Sequence, residues 1–112
     1  MEHRDVFIIE AIIDYCDRIQ KDLDAPGLTY EDFSSDVDLQ DVSAFRILQI
    51  GENANSLSDT LKNKYPQIPW HQISGFRNVV AHEYGNIEPE TLWKTITEDI
   101  PKLRDFCLKL IS

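Results

Sequence analysis

Positive charge is in short supply in this chain of 112 residues: 11 Lys and Arg stand against 20 Asp and Glu, a formal net charge of −9. So acidic a protein lacks the surface of a general nucleic-acid binder, and any contact of that kind must be local or brief, or use a partner's surface. Glycine is scarce too, with four residues, which disfavours an all-β fold of tight turns and leaves no glycine-rich phosphate loop. The apolar run Val6-Phe7-Ile8-Ile9 ends at Glu10, far short of the roughly 20 residues of a membrane span. Glu2, Asp5 and Glu10 also spoil a secretory signal. Two cysteines, Cys16 and Cys107, belong to no CxxC pair; they read as reduced, buried thiols of a cytoplasmic protein, with a disulfide as the minor alternative. His3, His71 and His82 share no ligand spacing, so no metal site is expected.

What is present fits one globular domain over residues 1–112, with a hydrophobic fraction of 42%. The charge is unevenly placed. Residues 1–42 hold twelve acidic and three basic side chains, whereas residues 43–112 hold eight of each. The first part therefore carries the whole imbalance, as a solvated face or as a docking surface for a basic partner, and the later part is free to hold a local positive site.

Apolar spacing predicts helices throughout. Val6, Ile9, Ile12, Ile13, Cys16, Ile19 and Leu23 advance in threes and fours over about Glu2–Asp24. Ala25-Pro26-Gly27 breaks that helix, and Thr29 followed by Asp32 marks the start of a short one near Tyr30–Ser34. A second long stripe, Leu39 to Leu61, predicts a helix over about Val37–Leu61, with Gly51 inside it as a close-contact position. Pro69 suits the first turn of a helix over about Trp70–Tyr84 that stops at Gly85. The last helix begins near Pro89, and Pro101 should kink it or divide it. Trp70 and Trp93 read as core anchors. No segment alternates with the period of a strand, so the expectation is an all-α antiparallel bundle of four or five helices.

The chemically informative stretch is Gly75-Phe76-Arg77-Asn78-Val79-Val80-Ala81-His82-Glu83-Tyr84-Gly85. With Arg77 at 0° on a helical wheel, Ser74, Asn78, His82 and Tyr84 fall between about −20° and 140°. Ile73, Phe76, Val79 and Val80 fall between about 200° and 320°. One face then reads as core and the other carries a guanidinium, an amide, an imidazole and a phenol. Such a face suits phosphodiester cleavage without a metal. Arginine matches phosphate oxygens, histidine moves a proton near neutrality, asparagine steadies the imidazole or a phosphate oxygen, and RNA brings its own 2′-hydroxyl nucleophile. One such helix is a convex, weak site; two facing across a dimer axis would make a cleft, with Gly75 letting them approach.

These residues resemble the Arg-x-x-x-x-His-x-Tyr signature of HepT-like proteins in the HEPN superfamily. The likeness extends over nearly the whole chain, through Leu48-Gln49-Ile50-Gly51-Glu52-Asn53-Ala54, Tyr65-Pro66-Gln67-Ile68-Pro69-Trp70 and Ile100-Pro101-Lys102-Leu103. It implies a HEPN-like all-α homodimer that cleaves RNA as a metal-independent ribonuclease, the toxin of a type VII toxin–antitoxin pair. It also implies an MntA-like nucleotidyltransferase partner that uses ATP as AMP donor. Carried over, Arg77 and His82 are catalytic, Asn78 supports them, Tyr84 accepts AMP, and the protein itself needs no cofactor. The departure is Tyr84-Gly85-Asn86-Ile87, where relatives often have a bulkier residue after the tyrosine, which bears on the loop around the acceptor. Two other readings use the same face: a non-catalytic nucleotide-binding or docking partner of the transferase, and a purely structural dimer.

Overall fold

The computed structural model describes residues 1–83 and 88–112, with only the backbone course for residues 78–83. Its helices are α1 (His3–Asp22), α2 (Tyr30–Ser34), α3 (Val37–Asn55), α4 (Asp59–Lys64), α5 (Trp70–Glu83), α6 (Pro89–Lys94) and α7 (Ile100–Ile111), with a π-helical turn over Thr95–Asp99 joining the last two. The described residues contain no strand, and the expected all-α bundle is what forms.

Local chemistry accounts for the boundaries. Gly27 takes φ +74 after α1, a conformation that glycine adopts without strain. Thr29 and Asp32 form a reciprocal cap: Asp32 N–H donates to Thr29 Oγ1 at 3.2 Å, and Thr29 N–H donates to Asp32 Oδ2 at 3.1 Å. Asp36 caps α3 by accepting from Leu39 N–H at 3.0 Å. The predicted Val37–Leu61 helix is in fact two. Ser58 caps a new helix by accepting from Leu61 N–H at 3.2 Å. It is held by the buried carboxylate of Asp5, which accepts from Ser58 N–H at 3.0 Å and from its hydroxyl at 2.5 Å. Leu57 and Leu61 stay buried on either side of the break, so the apolar stripe continues although the backbone does not. The last helix does not break at Pro101: right-handed helical dihedrals continue through both junctions, at Thr95 and at Asp99. A π-helical turn over Thr95–Asp99 directly precedes the proline, widening the ladder where proline has no N–H to donate.

α1 packs against both α3 and α7. Arg46 on α3 donates to both carboxylate oxygens of Asp22 at 2.8 and 3.4 Å, and with Asp5–Ser58 at the other end this sets α1 and α3 antiparallel. Arg104 on α7 pairs with Asp17. Both arginines are made harder to deprotonate, chiefly by these hydrogen bonds. Phe33 of α2 is fully buried and packs on Trp93 of α6 at 5.2 Å between ring centres. Trp70 is buried, donates from Nε1 to the Tyr65 carbonyl at 3.0 Å and meets Phe106 edge-on. That contact ties the start of α5 to α7. Both tryptophans therefore anchor the core.

Cys16 and Cys107 are free and buried. Burial pushes both thiols from the ordinary 9.0 up to about 12, with the neighbouring Cys107 and Asp17 adding to the shift at Cys16. The folded chain thus keeps protons that the unfolded chain loses first, so stability holds below about pH 9 and falls as pH rises toward 12. Native protein at about pH 8 should resist a thiol-specific disulfide reagent, while denatured protein reacts at both thiols. Rapid labelling of the native state would contradict this packing.

Candidate functional site

α5 owes its position to one missing methyl group. Gly51 of α3 lies so close to α5 that a Cβ there would stand 2.9 Å from the Arg77 backbone nitrogen and 3.1 Å from the Ile73 carbonyl oxygen. A Cβ at 2.9 Å from a backbone nitrogen is not tolerated and one at 3.1 Å from a carbonyl is tight, so the two helices meet this closely with glycine. The contact between α3 and α5 is the most extensive between any two described elements. On the α5 side Gly51 faces Ile73, which is buried, and Arg77 four positions later; the buried Trp70 lies three positions before Ile73.

Arg77 therefore does not stand on the convex outer face that the helical wheel suggests. It is half-buried at the edge of the seam, its side chain 34% exposed. Its Nε is buried and finds no hydrogen-bond partner among the described residues. Its Nη1 lies 3.9 Å from Oε2 of Glu52, whose side chain is 53% exposed. The guanidinium thus has a dry inner edge and a wet outer one. The wheel assigned the core face to Ile73, Phe76, Val79 and Val80. Ile73 is buried and Phe76 half-buried, but the seam is centred nearer Ile73 and Arg77. Trp70, at nearly the same angle as Arg77, was the signal: an apolar residue seven positions earlier extends the core stripe to the arginine.

Asn78 and His82 fall on the α5 helix; their side chains, and Tyr84 altogether, lie outside the described residues. Gly75 meets nothing within 4 Å, so it is not a close contact within the chain. A groove of about 540 Å³ opens between α5 and α6, lined in part by His71, Gln72, Phe76, Leu92 and Lys94. By helical phase it lies on the opposite flank of α5 from Arg77. No group of three or more His, Cys, Asp and Glu suited to a metal occurs among the described residues, and none of the described helices is long and apolar enough to cross a membrane. Glu52 is the residue that motif spacing missed. Its place directly after a glycine inside a helix was the available cue.

Residues 12–110 match the family described as Ribonuclease HepT-like. The chain belongs to the HepT-like family. A HepT-like relative from Thermococcus cleftensis, named "Probable ribonuclease HepT", is 35% identical over 78 residues, which covers 69% of this chain and 70% of its own. Two Methanocaldococcus jannaschii proteins carry names that describe candidate RNases. One is 31% identical over 82 residues, covering 65% of this chain and 75% of its own. The other is 30% identical over 105 residues, covering 90% of this chain and 85% of its own. No solved structure matches. For a HepT-like chain the Gly51 contact has a direct consequence, because it decides where the motif arginine stands.

Gly51→Ala should therefore lower stability. Overpacking costs about 1–3 kcal/mol, of which better helix propensity returns about 1 kcal/mol. The net loss is about 0–2 kcal/mol, and a thermal unfolding midpoint above that of the unsubstituted protein would show that the helices do not meet as described.

Proposed function

We propose that this HepT-like chain is a metal-independent endoribonuclease that acts as the toxin of a type VII toxin–antitoxin pair. In this reading Arg77 and His82 are the catalytic residues and Asn78 supports them. The observation that carries it is Arg77 itself. The sequence carries Arg77, His82 and Tyr84 at the signature spacing, and Arg77 stands half-buried on α5 at the edge of a packed seam, with Nη1 3.9 Å from the Glu52 carboxylate.

The chemistry follows from RNA. The 2′-hydroxyl loses its proton to His82 and its oxygen bonds to the adjacent phosphorus. The bond from phosphorus to the 5′-oxygen breaks, and that oxygen takes up a proton. The ends left are a 2′,3′-cyclic phosphate and a 5′-hydroxyl. Arg77 offsets the charge that grows on the non-bridging oxygens. A single open seam gives only one arginine and one histidine. A homodimer with two motif helices facing each other supplies a second set and a wall.

Neutralisation in this reading is covalent. The Tyr84 hydroxyl gives up its proton to solvent as its oxygen bonds to the α-phosphorus of ATP held by an MntA-like nucleotidyltransferase, and the bond from that phosphorus to the departing pyrophosphate breaks. Each AMP adds bulk and negative charge two residues from His82, where it repels RNA and competes for Arg77. The protein itself requires no cofactor and works in the cytoplasm. The net charge of −9 favours a second reading, in which the same face only binds nucleotide or docks the transferase and cuts nothing.

Cleavage assays separate the two. Purified protein should cut RNA in excess chelator and leave cyclic phosphate ends, and Arg77→Ala and His82→Ala should each abolish the activity. Cutting that survives both substitutions, or that stops with chelator, contradicts the mechanism. With transferase and ATP the protein should gain the mass of one or more AMP units, and Tyr84→Phe should gain none. Equal modification of Tyr84→Phe would remove Tyr84 as the acceptor.

A further inference from the structure

Glu52 has no place in the arginine–histidine–tyrosine signature, yet it is the ion-pair partner that Arg77 has among the described residues. The contact is unusual in its looseness. At 3.9 Å between Oε2 and Nη1 it is an ion pair, too long to be a direct hydrogen bond. A guanidinium bound to saturation makes two parallel bonds of about 2.7–2.9 Å. Glu52 provides neither that distance nor that number. Meanwhile Nε is enclosed in the seam, and Gly51, next to Glu52, fixes the α5 backbone at Arg77 itself. Two consecutive residues of α3 thus set the arginine: one its main chain, the other the outward edge of its side chain.

We propose that Glu52 is a positioning residue for Arg77, holding the guanidinium at the mouth of the α3–α5 seam and yielding it to a phosphate when RNA binds. The proposal rests on the ribonuclease reading above. A phosphodiester approaching Arg77 meets the Glu52 carboxylate as a competing and repelling charge. Glu52 therefore has two effects of opposite sign: it weakens binding of RNA in the ground state, and it keeps the guanidinium aimed for the transition state. A residue that merely packs would do neither. With a side chain 53% exposed, Glu52 adds little to the core, and its neutral variants should fold.

The test uses the full-length protein with a short RNA for cleavage and its 2′-deoxy counterpart for binding without cleavage. Glu52→Gln should bind the 2′-deoxy oligonucleotide about two- to fivefold more tightly, the range expected of an exposed ion pair. The gain should shrink as salt rises. Its kcat on RNA should fall about tenfold, a modest share of what positioning can contribute. Glu52→Asp keeps the charge but withdraws it by one methylene; it should bind like the unsubstituted protein and lose kcat like Glu52→Gln. In an Arg77→Ala background Glu52→Gln should no longer tighten binding, because the pair it frees is gone.

Unchanged affinity and kcat in Glu52→Gln would overturn the proposal, as would weaker binding, or tightening that persists without Arg77. The parent reading fails separately. If Arg77→Ala still cleaves RNA, the ribonuclease site is misplaced. If Arg77→Ala is inactive while Glu52→Gln is unaltered, only the role of Glu52 falls.

Discussion

The absence of a side chain at Gly51 is the constraint from which the site follows. It brings the α3 backbone against Ile73 and Arg77, closer than any other residue could allow. The penalty for glycine within a helix, about 1 kcal/mol relative to alanine, is offset by this approach. Arg77 is then held by its main chain, with Nε enclosed and Nη1 reaching the Glu52 carboxylate. Phosphate recognition depends on such restriction. A flexible arginine on an open helix loses entropy on every encounter, whereas one already enclosed on its inner edge loses less.

The acidic first part of the chain also has a structural use. Asp22 and Asp17 on α1 draw Arg46 of α3 and Arg104 of α7 onto the same helix, and Asp5 fastens the start of α4. The excess of carboxylates in residues 1–42 is thus partly consumed in tying later helices to α1. Its remainder faces solvent, away from no particular target. The picture that results is a helical frame with an anionic body and a single motif arginine at its most closely packed seam.

Much of this was legible in the residues. Thr29 and Asp32 announced α2 because a reciprocal cap is a local device, written within four positions. Pro101 announced an irregularity in the last helix for the same reason, which takes the form of the π turn before it, and Gly51 announced a close approach. The break at Ser58 had a local cue in the serine cap on Leu61, but the stripe of Ala54, Leu57 and Leu61 reads through it, and the Asp5 carboxylate that holds Ser58 is more than fifty positions away. The partial burial of Arg77 is not legible from its own helix for a related reason. A wheel centred on the motif gives the phase of a helix but not the direction from which its neighbour comes, and that direction is set by Gly51 on another helix. Glu52 went unassigned because its partner is across the seam and not on its own helix.

The most direct test of this arrangement is nuclear magnetic resonance of the protein during titration with a 2′-deoxy oligonucleotide. The Arg77 side-chain Nε–H signal and the backbone amides of Gly51 and Glu52 should shift together and saturate at one concentration, because one phosphate site on one seam reports through all three. Shifts gathered on α1 and α7, with these three signals unmoved at saturation, would contradict the account.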